Sequence, residues 1–158
     1  MSEGSERGTP DPRAENANAS VEQGARSREQ RTENDRPEKR KGDDIAERLL
    51  DAVEGVRRLL PGLPRDPAAK HVGKQLWRSV TGGGANYEEA RGAESRADFV
   101  HKVRIATKEL REAHYWLRVV HRSSWLAPGS AIALVQETDQ LIAILVSSAR
   151  TAKSAGSS

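Results

Sequence analysis

From Phe99 to Val120 the apolar residues Phe99, Val103, Ala106, Leu110, Ala113, Leu117 and Val120 recur at alternating steps of four and three. That period is the seam an α-helix presents when it packs along other helices. The opposite side of the same stretch carries Arg104, Lys108, Arg111, Arg118 and Arg122 in the same steps, with Tyr115 among them. One face therefore needs a core, and the other carries positive charge.

The rest of the chain can be read against that seam. Residues 1–43 hold almost no large apolar side chains besides Met1 and Val21, and mix short acidic and basic groups with Gly, Pro, Ser and Asn. Such a segment buries too little surface to offset its ordering entropy and is expected to be a disordered charged arm. Its basic end, Lys39, Arg40 and Lys41, could touch a polyanion once the folded part has docked. The competing reading is a solubilising tail.

A first helix is expected from Asp43 or Asp44, either of which could cap it, to about Leu60, where Pro61, Gly62 and Pro64 end it. Its buried stripe is Ile45, Leu49, Val53, Val56 and Leu60. Asp66 then stands as a cap before Pro67, and Val72, Leu76 and Val80 carry a second helix. The run Thr81 to Asn86 places three glycines in its middle, each costing about 1 kcal/mol relative to alanine. Either the helix kinks there or the small residues admit a neighbour. It resumes through Tyr87 to about Arg91, and Gly92 turns the chain. Ser95 with Asp98 three residues on opens the third helix, which runs toward His121. After Pro128 and Gly129, a fourth helix spans roughly Ser130 to Thr151, and residues 152–158 should fray.

The fourth helix is apolar on more than one side: Ile132, Leu134, Val135, Leu141, Ile142, Ile144, Leu145 and Val146 cannot all face one stripe. In so small a domain the second side suggests a subunit contact; a thick core or a packed tail would be the alternative. Four helices, short connections and no strand pattern make an all-α, antiparallel up-and-down four-helix bundle over residues 44–151 the expected fold.

Several classes of chemistry find no support. With no cysteine there are no disulfides and no thiolate metal cluster. The first residues lack the apolar run of a signal peptide, and Glu137 and Asp139 interrupt the longest apolar stretch, so a cytoplasmic protein without a membrane span is expected. The triglycine run lacks the Gly-Lys-Ser/Thr ending and the preceding strand of a phosphate-binding loop. Asp98 and His101 make the nearest match to a bundle metal motif, without a second copy. His71, His101, His114 and His121 show no ligand spacing. Neither a metal nor another cofactor is expected. Glu88, Glu89, Glu109 and Glu112, with Arg78 and Arg91 in reach across helices, read as structural ion pairs rather than as general acids and bases. No catalytic constellation emerges.

The basic row is the best chemical signal, although the formal net charge of +3 is small. Arg104 to Arg122 spans about 27 Å of helix, enough to follow several phosphates, and Tyr115 could stack on a base. The competing reading is a merely solvated face, flanked by Glu109 and Glu112.

The stretch Gln75 to Leu117 resembles the four-helix-bundle family of proteins encoded in intervening sequences of large-subunit ribosomal RNA genes. It is also similar in fold to the accessory variability determinant of diversity-generating retroelements. Gln75, Arg78, Ser79, Asn86, Glu89 and Ala90 carry the likeness in the second helix. In the third, Ser95, Asp98, Phe99, Lys102, Ala106, Glu112, Trp116 and Leu117 carry it. The resemblance implies a bundle that assembles as a ring, commonly a homopentamer, without catalytic activity and with nucleic-acid binding. On it, Arg78, Asn86, Glu89 and Glu112 are expected to pair with one another as a structural polar network. The expected function is a non-enzymatic homo-oligomeric bundle binding RNA or DNA through Arg104, Lys108, Arg111, Tyr115, Arg118 and Arg122. The alternative is a protein–protein adaptor with no direct nucleic-acid contact.

Overall fold

The computed structural model describes residues 42–155, which hold four α-helices and no strand: α1 (Asp43–Leu59), α2 (Pro67–Arg91), α3 (Arg96–Arg122) and α4 (Ile132–Ser154). A 3-10 turn, Leu60–Gly62, follows α1 directly. The expected charged arm, with Lys39, Arg40 and Lys41, lies outside the described residues except for Gly42 and Asp43. Residues 156–158 lie outside them too.

α2 and α3 each begin at a side-chain cap. Asp66 accepts hydrogen bonds from the amides of Ala68 and Ala69 at 2.9 and 3.0 Å and caps α2, with Pro67 in the first turn, where its missing N–H costs nothing. Ser95 accepts from the Asp98 amide and caps α3. α1 starts at Asp43 as expected, but its cap differs from expectation, because neither Asp43 nor Asp44 caps it. The cap is Gly42 in a left-handed conformation (φ 88°), with no side-chain bond. Tyr87 explains the glycine: its hydroxyl donates to the Gly42 carbonyl at 3.4 Å and would lie 2.5 Å from any Cβ there. Asp43 is instead the first helical residue and pairs with Arg91. The fourth helix shifts, starting at Ile132 rather than Ser130 and continuing past Thr151 to Ser154.

The helices run up, down, up and down. Gly42 at the start of α1 meets Tyr87 near the end of α2, whereas Leu60, just after α1, meets Gly73 early in α2. Glu89 near the end of α2 pairs with Lys102 near the start of α3. His114 in α3 contacts Thr138 in α4 at 3.1 Å. Finally Arg48 of α1 donates to both carboxylate oxygens of Glu137 in α4, at 2.7 and 3.1 Å, and to Gln140. α2 packs against α3 and α3 against α4, and α1 closes the bundle against α2 and α4.

The seam that organises the sequence is the core. Val103, Ala106, Leu110, Ala113, Leu117 and Val120 are buried, with Phe99 half-buried at the end. Leu49 and Val56 of α1, Leu76 and Val80 of α2, and Leu141 and Leu145 of α4 complete it. α2 continues through the triglycine run without a break. A Cβ on Gly83 would stand 2.9 Å from Leu110, and one on Gly82 would stand 2.9 Å from the Glu109 carboxylate. At these two glycines the side chains of α3 pack into the space a Cβ would take.

α4 is the most apolar helix. By length and composition it could cross a membrane, and 22% of that apolar window is buried within the chain. Thr138, Leu141, Leu145 and Ala149 form its buried row, while Ile132 is 46% exposed and Ile144 and Val146 are half-buried.

Candidate nucleic-acid interface

Because α3 commits one face to the core, the residues half a turn away must face outward. Arg104, Lys108, Arg111, Arg118 and Arg122 are all exposed, and Tyr115 between them is 55% exposed. None of these five cations is in an ion pair among the described residues.

The row does not act as one surface. Arg104, Lys108 and Arg111 line a groove of about 350 Å³ between α3 and α4, and its other bank is formed by Arg150 and Lys153. Thr107, Val146 and Ala149 complete the lining, and no acidic residue enters it. Arg118, Tyr115 and Arg122 continue along α3 outside the groove. Arg150 and Lys153 were not anticipated. They sit three residues apart in the last turns of α4, and only the antiparallel pairing of α3 with α4 brings them opposite Arg104 and Lys108. The basic spacing on the last turns of α4 was the available signal.

The acids beside the row are turned elsewhere. Glu109 lies against Gly82 on α2. Glu112 accepts from the Trp116 indole N–H at 3.2 Å, and Trp116 meets His71 of α2 edge-on at 5.8 Å between ring centroids. Both carboxylates thus belong to the α2 side of α3 and leave the α4 side positive. Tyr115 is steadied by an edge-on contact with Trp116 at 4.8 Å.

The polar quartet expected to form one network does not do so. Asn86 donates to the Gly82 carbonyl of its own helix at 2.9 Å. Glu89 pairs with Lys102, whose pKa is raised chiefly by that hydrogen bond. Glu112 takes Trp116, and Arg78 is exposed with no side-chain hydrogen bond or ion pair among the described residues. The reason is geometric: Asn86, Glu89 and Glu112 each reach a nearer partner, and Arg78 lies on the exposed side of α2. Arg91 joins the structural pairs, bound to Glu88 at 2.9 Å and to Asp43. Among the described residues no group of three His, Asp or Glu side chains is placed to hold a metal ion.

The comparisons with known proteins bear on this architecture. The family of 23S rRNA-intervening sequence proteins matches residues 44–147, the whole of the bundle as far as the last turns of α4. A crystal structure of a protein of unknown function from the S23 ribosomal protein family of Bacteroides thetaiotaomicron superposes with a TM-score of 0.60 at 30% identity. It covers 65% of this chain and 95% of its own. No curated protein matches. With the match extending over most of the chain and the same fold in a relative of 30% identity, the chain belongs to the family of 23S rRNA-intervening sequence proteins.

Proposed function

We propose that the protein is a non-enzymatic, homo-oligomeric helical bundle that binds RNA or DNA through the phosphate backbone, in the groove between α3 and α4. The carrying observation is that Arg104, Lys108, Arg111, Arg150 and Lys153 converge on one groove with no acidic residue in its lining. Cations gathered this way attract a polyanion by displacing its counterions, an effect that needs no base-specific contact. The groove's apolar and hydroxyl lining offers little to read a base edge, so sequence preference should be weak. Tyr115, exposed next to the groove, gives an unstacked base a face to lie on.

The uncovered apolar surface of α4 outside the groove, at Ile132 and Ile144, supports the homo-oligomeric part of this reading. Repeating a modest cationic groove around an assembly raises avidity without demanding much of one subunit. Fluorescence anisotropy with a labelled RNA tests the groove. Arg111→Glu combined with Arg150→Glu should weaken binding at least tenfold and flatten the slope of log K against log salt by about 0.7 to 0.9 for each phosphate contact removed. Unchanged affinity and slope would remove the groove from consideration.

A further inference from the structure

A second groove lies at the junction of α1 and α2. The 3-10 turn and the residues after it fold back over the first turns of α2, leaving an open cleft of about 400 Å³. Its walls are Leu60, Leu63, Pro64 and Trp77. Gly73 also lines it, and a Cβ there would stand 3.1 Å from Leu63 and 3.3 Å from Leu60, so the two leucines would have to give by a few tenths of an ångström. Trp77 is 39% exposed, one of few exposed large apolar side chains among the described residues.

Three cations, Arg65, Lys70 and Lys74, stand around these walls. None has a side-chain hydrogen bond or an ion pair among the described residues. Asp66, adjacent in sequence, is occupied capping α2 and is not in the lining. Apolar walls beside unpaired positive charge suit a ligand of the inverse pattern, an apolar anchor flanked by carboxylates.

We propose that this cleft docks an acidic segment of another protein that presents a bulky apolar side chain, such as Leu or Phe, against Trp77. This places the adaptor expectation at a definite location, and it stands independently of the nucleic-acid reading. A nucleic acid fits less well, because Leu60, Leu63, Pro64 and Trp77 form the walls and a phosphate backbone leaves such apolar surface uncovered. An open cleft of this volume also leaves a small molecule largely wet, whereas a peptide covers it and extends onto the flanking lysines.

The test uses the full chain, labelled with nitrogen-15, and a short synthetic amphipathic peptide of Glu, Leu and Phe at low salt. Saturable shifts at the Gly73 amide and the Trp77 indole are expected. Lys70→Glu with Lys74→Glu should weaken the peptide at least tenfold while leaving RNA affinity at the α3–α4 groove unchanged. Both lysines are exposed, so circular dichroism should show an intact bundle. Equal binding of the same peptide with Lys in place of Glu would overturn the proposal, as would shifts confined to the α3–α4 groove. An RNA that shifts Trp77 and displaces the peptide would reassign the cleft to nucleic acid. Loss of RNA binding in the Arg111 and Arg150 variant, with peptide binding retained, would separate the two sites.

Discussion

Adjacent glycines in α2 have opposite roles, and single substitutions should reveal it. Gly83 faces Leu110, which is fully buried, so an added methyl at 2.9 Å must displace a core side chain with nowhere to go. Overpacking of this kind costs about 1–3 kcal/mol, against about 1 kcal/mol regained from helix propensity. Gly83→Ala should therefore lower stability in urea unfolding. Gly84 meets only Val53, at 4.0 Å, which is ordinary contact. Gly84→Ala should raise stability by about 0.5–1 kcal/mol, and a loss there would mean that α1 sits closer than described. Charge is legible at the same scale. Glu54 accepts hydrogen bonds from Arg57 and Arg58, which lower its pKa from an ordinary 4.5 to about 2. Because the folded-state value is depressed, its stabilising contribution is present above pH 4.5 and is lost as pH falls through about 2. A carboxyl NMR titration should place the Glu54 midpoint near 2, and replacing both arginines with glutamine should return it toward 4.5.

At the scale of helices, the sequence announces what depends on one element and hides what depends on two. The α3 seam and the Asp66 and Ser95 caps are visible because a helix's period and its first turn are local facts. Asp66→Ala and Ser95→Ala should each cost about 1 kcal/mol in denaturant unfolding, because each leaves backbone N–H groups of a first turn without a partner. The start of α1 at Asp43 is legible, but its cap is not, because Gly42 meets Tyr87, forty-five residues away. The triglycine run was ambiguous for the same reason: its meaning lies in Leu110 and Glu109, and the register between α2 and α3 settles it. The expected quartet of Arg78, Asn86, Glu89 and Glu112 failed because sharing a core-facing flank does not fix the partner, and Lys102 and Trp116 were nearer. The candidate interface was half legible. Arg104, Lys108 and Arg111 follow from the period of α3, but Arg150 and Lys153 belong to the site only through the pairing of α3 with α4.

For the whole molecule, the question is what covers α4. A helix with this much apolar surface and only 22% of its apolar window buried either meets another surface or leaves oily side chains in water. Ile132, at 46% exposure, separates these cases, since it opens the helix and is not part of the buried row. If α4 meets a second copy, Ile132→Asp places a carboxylate in an apolar contact and should lower the molar mass measured by light scattering toward the 17.3 kDa of one chain, with helicity unchanged. The same variant separates avidity from groove affinity. Its α3–α4 groove retains every cation, so a single subunit should still bind a short RNA, while a longer RNA that engages several subunits at once should lose affinity by tenfold or more. A wild-type mass already equal to one chain would sink the homo-oligomer reading. An unchanged mass in the variant would place the contact on another part of α4, around Ile144. A mass that falls with equal loss on short and long RNA would mean that assembly shapes the groove itself, because a pure avidity effect must grow with the number of grooves one strand can reach.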